Sequence, residues 1–128
     1  VTVSTNNAAG YDLTLANSDA TLTLVNGANT IGAHAGTYAA PTALANNTWG
    51  YAVGGLGSFD ASYTTLTNAT TSTTKWSGVP SSASPQNIKS TATVASGDTT
   101  TVWYAVKADT TKPNGVYTDS VTYTATTK

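Results

Sequence analysis

Polar and apolar residues alternate along most of this chain, and no run carries the helical spacing of an amphipathic helix. Tyr11, Leu13 and Leu15 alternate with Asp12, Thr14 and Ala16, and Leu22 and Leu24 alternate with Thr21 and Thr23. This is the pattern of strands that turn one face toward a core. Asn26-Gly27 then predicts a tight turn. Trp49, Tyr51 and Val53 share one face of a short strand that ends at Gly54, Gly55 and Gly57, residues that extend a strand poorly. A weaker strand is predicted around Tyr63 and Leu66. Residues 77–87, with Pro80 and Pro85 among serines, read as the clearest loop.

Past that loop, Ile88, Ala92 and Val94 interleave with Thr91 and Thr93, and Ser96-Gly97-Asp98 predicts a turn. Thr99 to Ala108 reads as one strand, with Val102, Tyr104, Val106 and Ala108 on one face and Trp103, Ala105 and Lys107 on the other; either face could be the inner one. Lys112-Pro113-Asn114-Gly115 breaks it. The final strand is predicted from Val116 to about Thr126, placing Tyr117, Asp119, Val121, Tyr123 and Ala125 opposite Thr118, Ser120, Thr122, Thr124 and Thr126. About seven to nine short strands bounded by turns, with no helix, predict an all-β fold, an immunoglobulin-like antiparallel sandwich. The length of 128 residues suits a single domain spanning 1–128.

Composition sharpens this picture. Twenty-eight residues are threonine, a β-branched type that suits a half-buried strand, while Cys, Met, Arg and Glu are absent. Three Trp, seven Tyr and one Phe supply large apolar groups for a core. Five Lys and six Asp leave a net charge of -1 and no basic track for phosphates, so nucleic acid is not an expected partner. No stretch approaches the roughly 20 apolar residues of a membrane span, and no charged-then-apolar leader opens the chain, which reads as a mature or excised soluble segment. A cysteine-free chain rich in Thr, Ser, Asn and Gly is expected outside the cell, at the cell surface.

Several stretches carry a family resemblance. Lys107-Ala108-Asp109, then Pro113-Asn114-Gly115-Val116-Tyr117-Thr118-Asp119 and Val121-Thr122-Tyr123-Thr124-Ala125, resemble the closing segment of β-sandwich modules in bacterial surface proteins. Gly10-Tyr11-Asp12-Leu13-Thr14-Leu15 and Asn46-Asn47-Thr48-Trp49-Gly50-Tyr51-Ala52-Val53 are similar to other parts of such modules, particularly in large surface proteins of very small-genome bacteria. The resemblance covers roughly a third of the chain and implies surface display, adhesion or fibre building. In immunoglobulin-like sandwiches a tyrosine near the start of a late strand anchors the preceding corner through its hydroxyl, and Tyr117 sits where such a corner is expected.

Catalytic constellations are sparse, and no enzyme activity is expected. His34 is the single histidine and there is no cysteine, so a His-centred metal cluster or a Cys/His pair cannot be built; His34 reads as a loop residue between Gly32 and Gly36. Asp60, Asp98, Asp109 and Asp119 are the nominal carboxylates for glycoside hydrolysis, yet Asp98 and Asp109 stand in turns where Asp bonds the backbone. Gly54-Gly55-Leu56-Gly57-Ser58 lacks the lysine and helix start of a phosphate loop. No cofactor is expected, although Asn17, Asp19, Asp60 and Asp98 could form an oxygen-lined Ca²⁺ site. Asp119 shares a face with tyrosines and must be paired or hydrogen-bonded if that face is buried; an isopeptide bond to Lys75, Lys89 or Lys107 is implied only through the resemblance. Asn46-Asn47-Thr48 and Asn68-Ala69-Thr70 fit the N-glycan acceptor pattern.

These readings converge on a structural subunit or repeat of an extracellular surface fibre, a pilus-like homopolymer whose partners are copies of itself or neighbouring repeats. Val1-Thr2-Val3-Ser4-Thr5 is strand-like and could pair within its own sheet or add to the exposed edge of the next subunit. The alternative is an adhesin or carbohydrate-binding module that stacks surface glycans on Trp49, Trp76 or Trp103.

Overall fold

A computed structural model describes residues 1–55, 59 and 74–128. The described residues form nine strands and no helix: β1 (Thr2–Thr5), β2 (Tyr11–Asn17), β3 (Leu24–Asn26), β4 (Asn29–Ala33), β5 (Thr48–Val53), β6 (Gln86–Ser90), β7 (Ala95–Thr99), β8 (Val102–Lys107) and β9 (Val121–Thr127). They assemble into a four-stranded sheet ordered β3-β4-β5-β8, a three-stranded sheet ordered β6-β2-β9, and a two-stranded ribbon of β1 with β7. All pairings are antiparallel except β4 with β5. The expected strand around Tyr63 and Leu66, together with Asp60, Gly57 and the Asn68 triplet, lies outside the described residues.

One core joins the two larger sheets. Tyr11, Leu13 and Leu15 of β2 and Trp49, Tyr51 and Val53 of β5 are all buried, packed with Ile31, Leu44, Phe59, Trp76, Val79 and Ile88. The alternation seen in the sequence places these side chains, since successive residues of a strand point to opposite faces. Two segments then cross between the sheets. Ser77 exchanges both main-chain hydrogen bonds with Tyr51 of β5, and three residues later the carbonyl of Pro80 accepts from Asn17 N–H at the end of β2. Thr118 pairs with Val25 of β3, and Ser120 accepts from Ser18.

The first crossing depends on glycines. A Cβ on Gly50 would meet the carbonyl oxygen of Ser77, and one on Gly78 the carbonyl oxygen of His34. The absent side chains let residues 76–78 lie directly against β5 and the end of β4.

Several boundaries differ from the sequence reading. Thr99 to Ala108 is not one strand: β7 ends at Thr99 against β1, Thr100 exchanges main-chain bonds with Val1, and the chain restarts as β8 against β5. Ser96-Gly97-Asp98 is the middle of β7 rather than a turn, because Val3 pairs with Asp98 and Thr5 with Ala95; Gly97 takes φ 64° where the register shifts between them. The turn falls at residues 91–94, where Val94 is exposed. The last strand begins at Val121, since residues 116–120 are spent on the crossing described above.

Candidate functional site

The sandwich is unevenly covered, and its exposed flank follows from register. In β5 with β8, Val53 faces Val102, Tyr51 faces Tyr104 and Trp49 faces Val106. Directly opposed residues of an antiparallel pair point to the same face, so Val102, Tyr104 and Val106 lie on the core side. The β5 members are at most 4 % exposed, whereas Tyr104 is 43 % and Val106 53 % exposed. The same step occurs in the other sheet. Leu13 and Leu15 of β2 are buried, while their partners Ala125 and Tyr123 of β9 are exposed and half-buried. Tyr104 and Tyr123 bring their hydroxyls within 2.6 Å, so both exposed strands border one flank. Tyr104 also stacks on Trp49 with ring centroids 6.3 Å apart.

The main chain along this flank is open as well. Tyr51 spends its N–H and C=O on Ser77, on the side of β5 away from β8. Tyr51 and Tyr104 are therefore a non-hydrogen-bonded pair, and Tyr104 directs its own N–H and C=O to the outer edge of β8. By alternation Val102 and Val106 do the same. In β9 the bond from Ser18 N–H to Ser120 C=O fixes the phase, so Val121, Tyr123, Ala125 and Thr127 present their main-chain groups outward. Among the described residues no strand pairs with either outer edge. Natural edge strands are commonly guarded by charge, proline or a bulge. Within β8 and β9, Lys107 is the one charged residue, neither strand contains proline, and neither pairing shows a register shift. Loss of solvent around the Tyr104 hydroxyl, followed by its bond to Tyr123, pushes it up from its ordinary range.

The flank continues into a groove of about 400 Å³ past the end of β8, lined by Leu24, Ile31, Val106, Ala108, Pro113 and Tyr117 among others. Tyr117 donates its hydroxyl to the carbonyl of Pro113 at 3.0 Å, bracing the turn that forms one wall. A larger cleft of about 710 Å³ lies elsewhere, between Tyr38, Trp103 and the polar Asn87, Lys89 and Ser90.

The N-terminal residues Val1, Thr2, Val3, Ser4 and Thr5 are engaged within the chain: Thr2 faces Thr99, Val3 faces Asp98 and Thr5 faces Ala95. No side chain of β1 is fully buried. Asp119 accepts hydrogen bonds from Asn17 Nδ2 at 2.7 Å and from Ser120 N–H. Lys89 instead pairs with Asp98 at 2.5 Å and Lys107 reaches the carbonyl of Leu44, so among the described residues no lysine pairs with Asp119. Asp98 also accepts the Tyr11 hydroxyl at 2.8 Å, at the start of β2, whereas Asn17 ends that strand; the two are not gathered into one oxygen cage. Asp19 accepts from Thr21 N–H. Among the described residues no group of three His, Cys, Asp or Glu could hold a metal.

His34 lies just past the end of β4, outside the strands as expected, and its side chain is buried. Its Nε2 lies 2.8 Å from Thr42 Oγ1, and its Nδ1 accepts from Ala45 N–H. Burial lowers its pKa. Asp109 accepts from Asn47 Nδ2 and Thr111, an arrangement that holds Asn47 at φ 59°. Asn46, the first glycan acceptor, is exposed. Of the three tryptophans, Trp49 and Trp76 belong to the core and cannot serve as sugar platforms; Trp103 is half-buried beside the larger cleft. The open flank was missed by sequence reasoning because alternation reports which residues share a face, not whether anything covers them. The unguarded β8 was its available signal. Comparison of the chain with family models, with curated proteins and with solved structures finds no match.

Proposed function

We propose that this chain is an immunoglobulin-like structural module of an extracellular surface fibre, a non-enzymatic subunit or repeat that associates with copies of itself. The observation that carries this reading is the flank between β8 and β9, where core-facing residues are exposed and, among the described residues, the outward main-chain groups of both sheets pair with no strand. Such an edge takes another strand through backbone hydrogen bonds, and with Lys107 its one charged residue it suits close packing of like subunits. The threonines support the same reading, since Thr122, Thr124 and Thr126 give the outer face of β9 a polar but uncharged surface.

Addition of the Val1–Thr5 segment to an edge of the next subunit is the form of assembly proposed here. It requires β1 to exchange its partner β7 for a strand of a neighbour, and the absence of any fully buried side chain in β1 makes that exchange inexpensive. Electron microscopy of the purified chain, intact and with residues 1–5 deleted, tests it. Filaments that are lost on deletion while the domain stays folded are expected; filaments unchanged by the deletion would remove this donor role.

The cleft beside Tyr38 and Trp103 favours a second reading, a glycan-binding adhesin. That reading requires Trp103→Ala to abolish glycan retention without changing assembly.

A further inference from the structure

We infer that β8 is a two-fold docking edge, at which a second copy of this chain pairs its own β8 antiparallel about Tyr104. The inference uses the geometry of the flank and does not depend on the N-terminal segment. It names a contact between like surfaces, where donation of β1 would join unlike ones.

The phase of the backbone and the extent of the strand together select the axis. Two antiparallel edge strands join only through residues whose N–H and C=O point outward, which in β8 are Val102, Tyr104 and Val106. A two-fold axis through Tyr104 sets Tyr104 opposite its copy and Val102 opposite the partner's Val106, so every outward group of those residues finds a complement. An axis through Trp103 or Ala105 keeps the phase but pairs only two of the three outward residues with one another, leaving Val106 or Val102 opposite a residue outside the strand. An axis through Val102 or Val106 would leave one end of the strand unpaired.

The side chains read the same in both directions about that axis. Val102 and Val106 flank Tyr104 symmetrically on the core side, so the two half-covered cores would meet apolar against apolar. The stacked Trp49 and the hydroxyl of Tyr123 hold the Tyr104 ring in place for the contact. Charge does not oppose the arrangement. Lys107 lies three residues from the axis, which separates the two ammonium-bearing positions by about 20 Å, well beyond the screening length of about 8 Å at physiological salt. The whole chain carries only -1, so long-range repulsion between copies is weak.

β9 does not offer an equivalent site. Its core-side residues next to the flank end in Ala125 and Thr127, which supply less apolar surface, and its sequence is not symmetric about Tyr123. A strand from an unrelated protein would satisfy the backbone of β8 equally well, but nothing in its chemistry would exploit the symmetric placement of the valines.

The absence of cysteine makes the test direct. With Tyr104→Cys, opposed residues of the dimer sit with Cα atoms about 5.5 Å apart, inside the range a disulfide spans. Under mild oxidation this variant is expected to give a disulfide-linked dimer, while Lys107→Cys, about 20 Å from its copy, is expected not to. Sedimentation equilibrium on Val106→Lys supplies the second readout. Val106 is exposed in the single chain, so folding followed by tryptophan fluorescence should be unchanged, while dimer affinity should fall at least about tenfold because each partner would bury an unpaired ammonium. Equal crosslinking at both positions, none at position 104 in a folded protein, or dimerisation indifferent to Val106→Lys would overturn the inference. Filaments that persist under any of those outcomes would leave the fibre reading standing while this edge contact falls.

Discussion

Several polar side chains in this protein are held under cover by specific partners, and His34 makes the consequence measurable. Its ring is buried between Thr42 and the N–H of Ala45, and burial lowers its pKa below the ordinary value near 6.5. The folded state therefore favours the neutral ring. Stability from this source is complete above about pH 6.5 and is lost as pH falls from there toward the depressed folded value. The carboxylates act lower: Lys89 and Tyr11 hold Asp98 down, and Thr111 holds Asp109 down, so their contribution is lost only as pH falls below about 4. Melting temperature against pH should show two separate declines, and His34→Gln should remove the upper one; a single decline below pH 4 in the unaltered chain would contradict the burial of His34. Tyr117→Phe removes the bond to Pro113 and should cost at most about 1 kcal/mol in chemical denaturation, because the hydroxyl can find water instead.

At the scale of elements, close approach across the sheets matters as much as strand pattern. Gly78→Ala drives a methyl group into the carbonyl of His34, and Gly50→Ala drives one into that of Ser77; each is expected to destabilise by about 1–3 kcal/mol in urea titration. Wild-type stability in both variants would show that residues 76–78 do not pack where described. Neither glycine stands out in the sequence, since contact with a segment distant in the chain leaves no local signature. Period two, by contrast, made β2, β5 and the core side of β9 legible, because each carries three or more alternating apolar residues. The boundary between β7 and β8 was not legible. Thr99, Thr100 and Thr101 continue a strand pattern without interruption, and only the change of partner from β1 to β5 ends one strand and begins the next. Gly97 misled in the opposite sense, marking an irregularity within β7 rather than a turn.

For the whole molecule, the sequence made legible an all-β protein of low charge, and it placed Val102, Tyr104 and Val106 on one face without deciding which. Coverage decided the rest. Among the described residues, a core shared by β2 and β5 is sealed at their centres and left open where β8 and β9 border the same flank. That opening favours self-association of the chain. The measurement that tests it most directly is multi-angle light scattering of the purified chain across a range of concentrations. The mass should rise with concentration from 12.9 kDa to multiples of it; a mass that stays at 12.9 kDa up to millimolar concentration would contradict the claim.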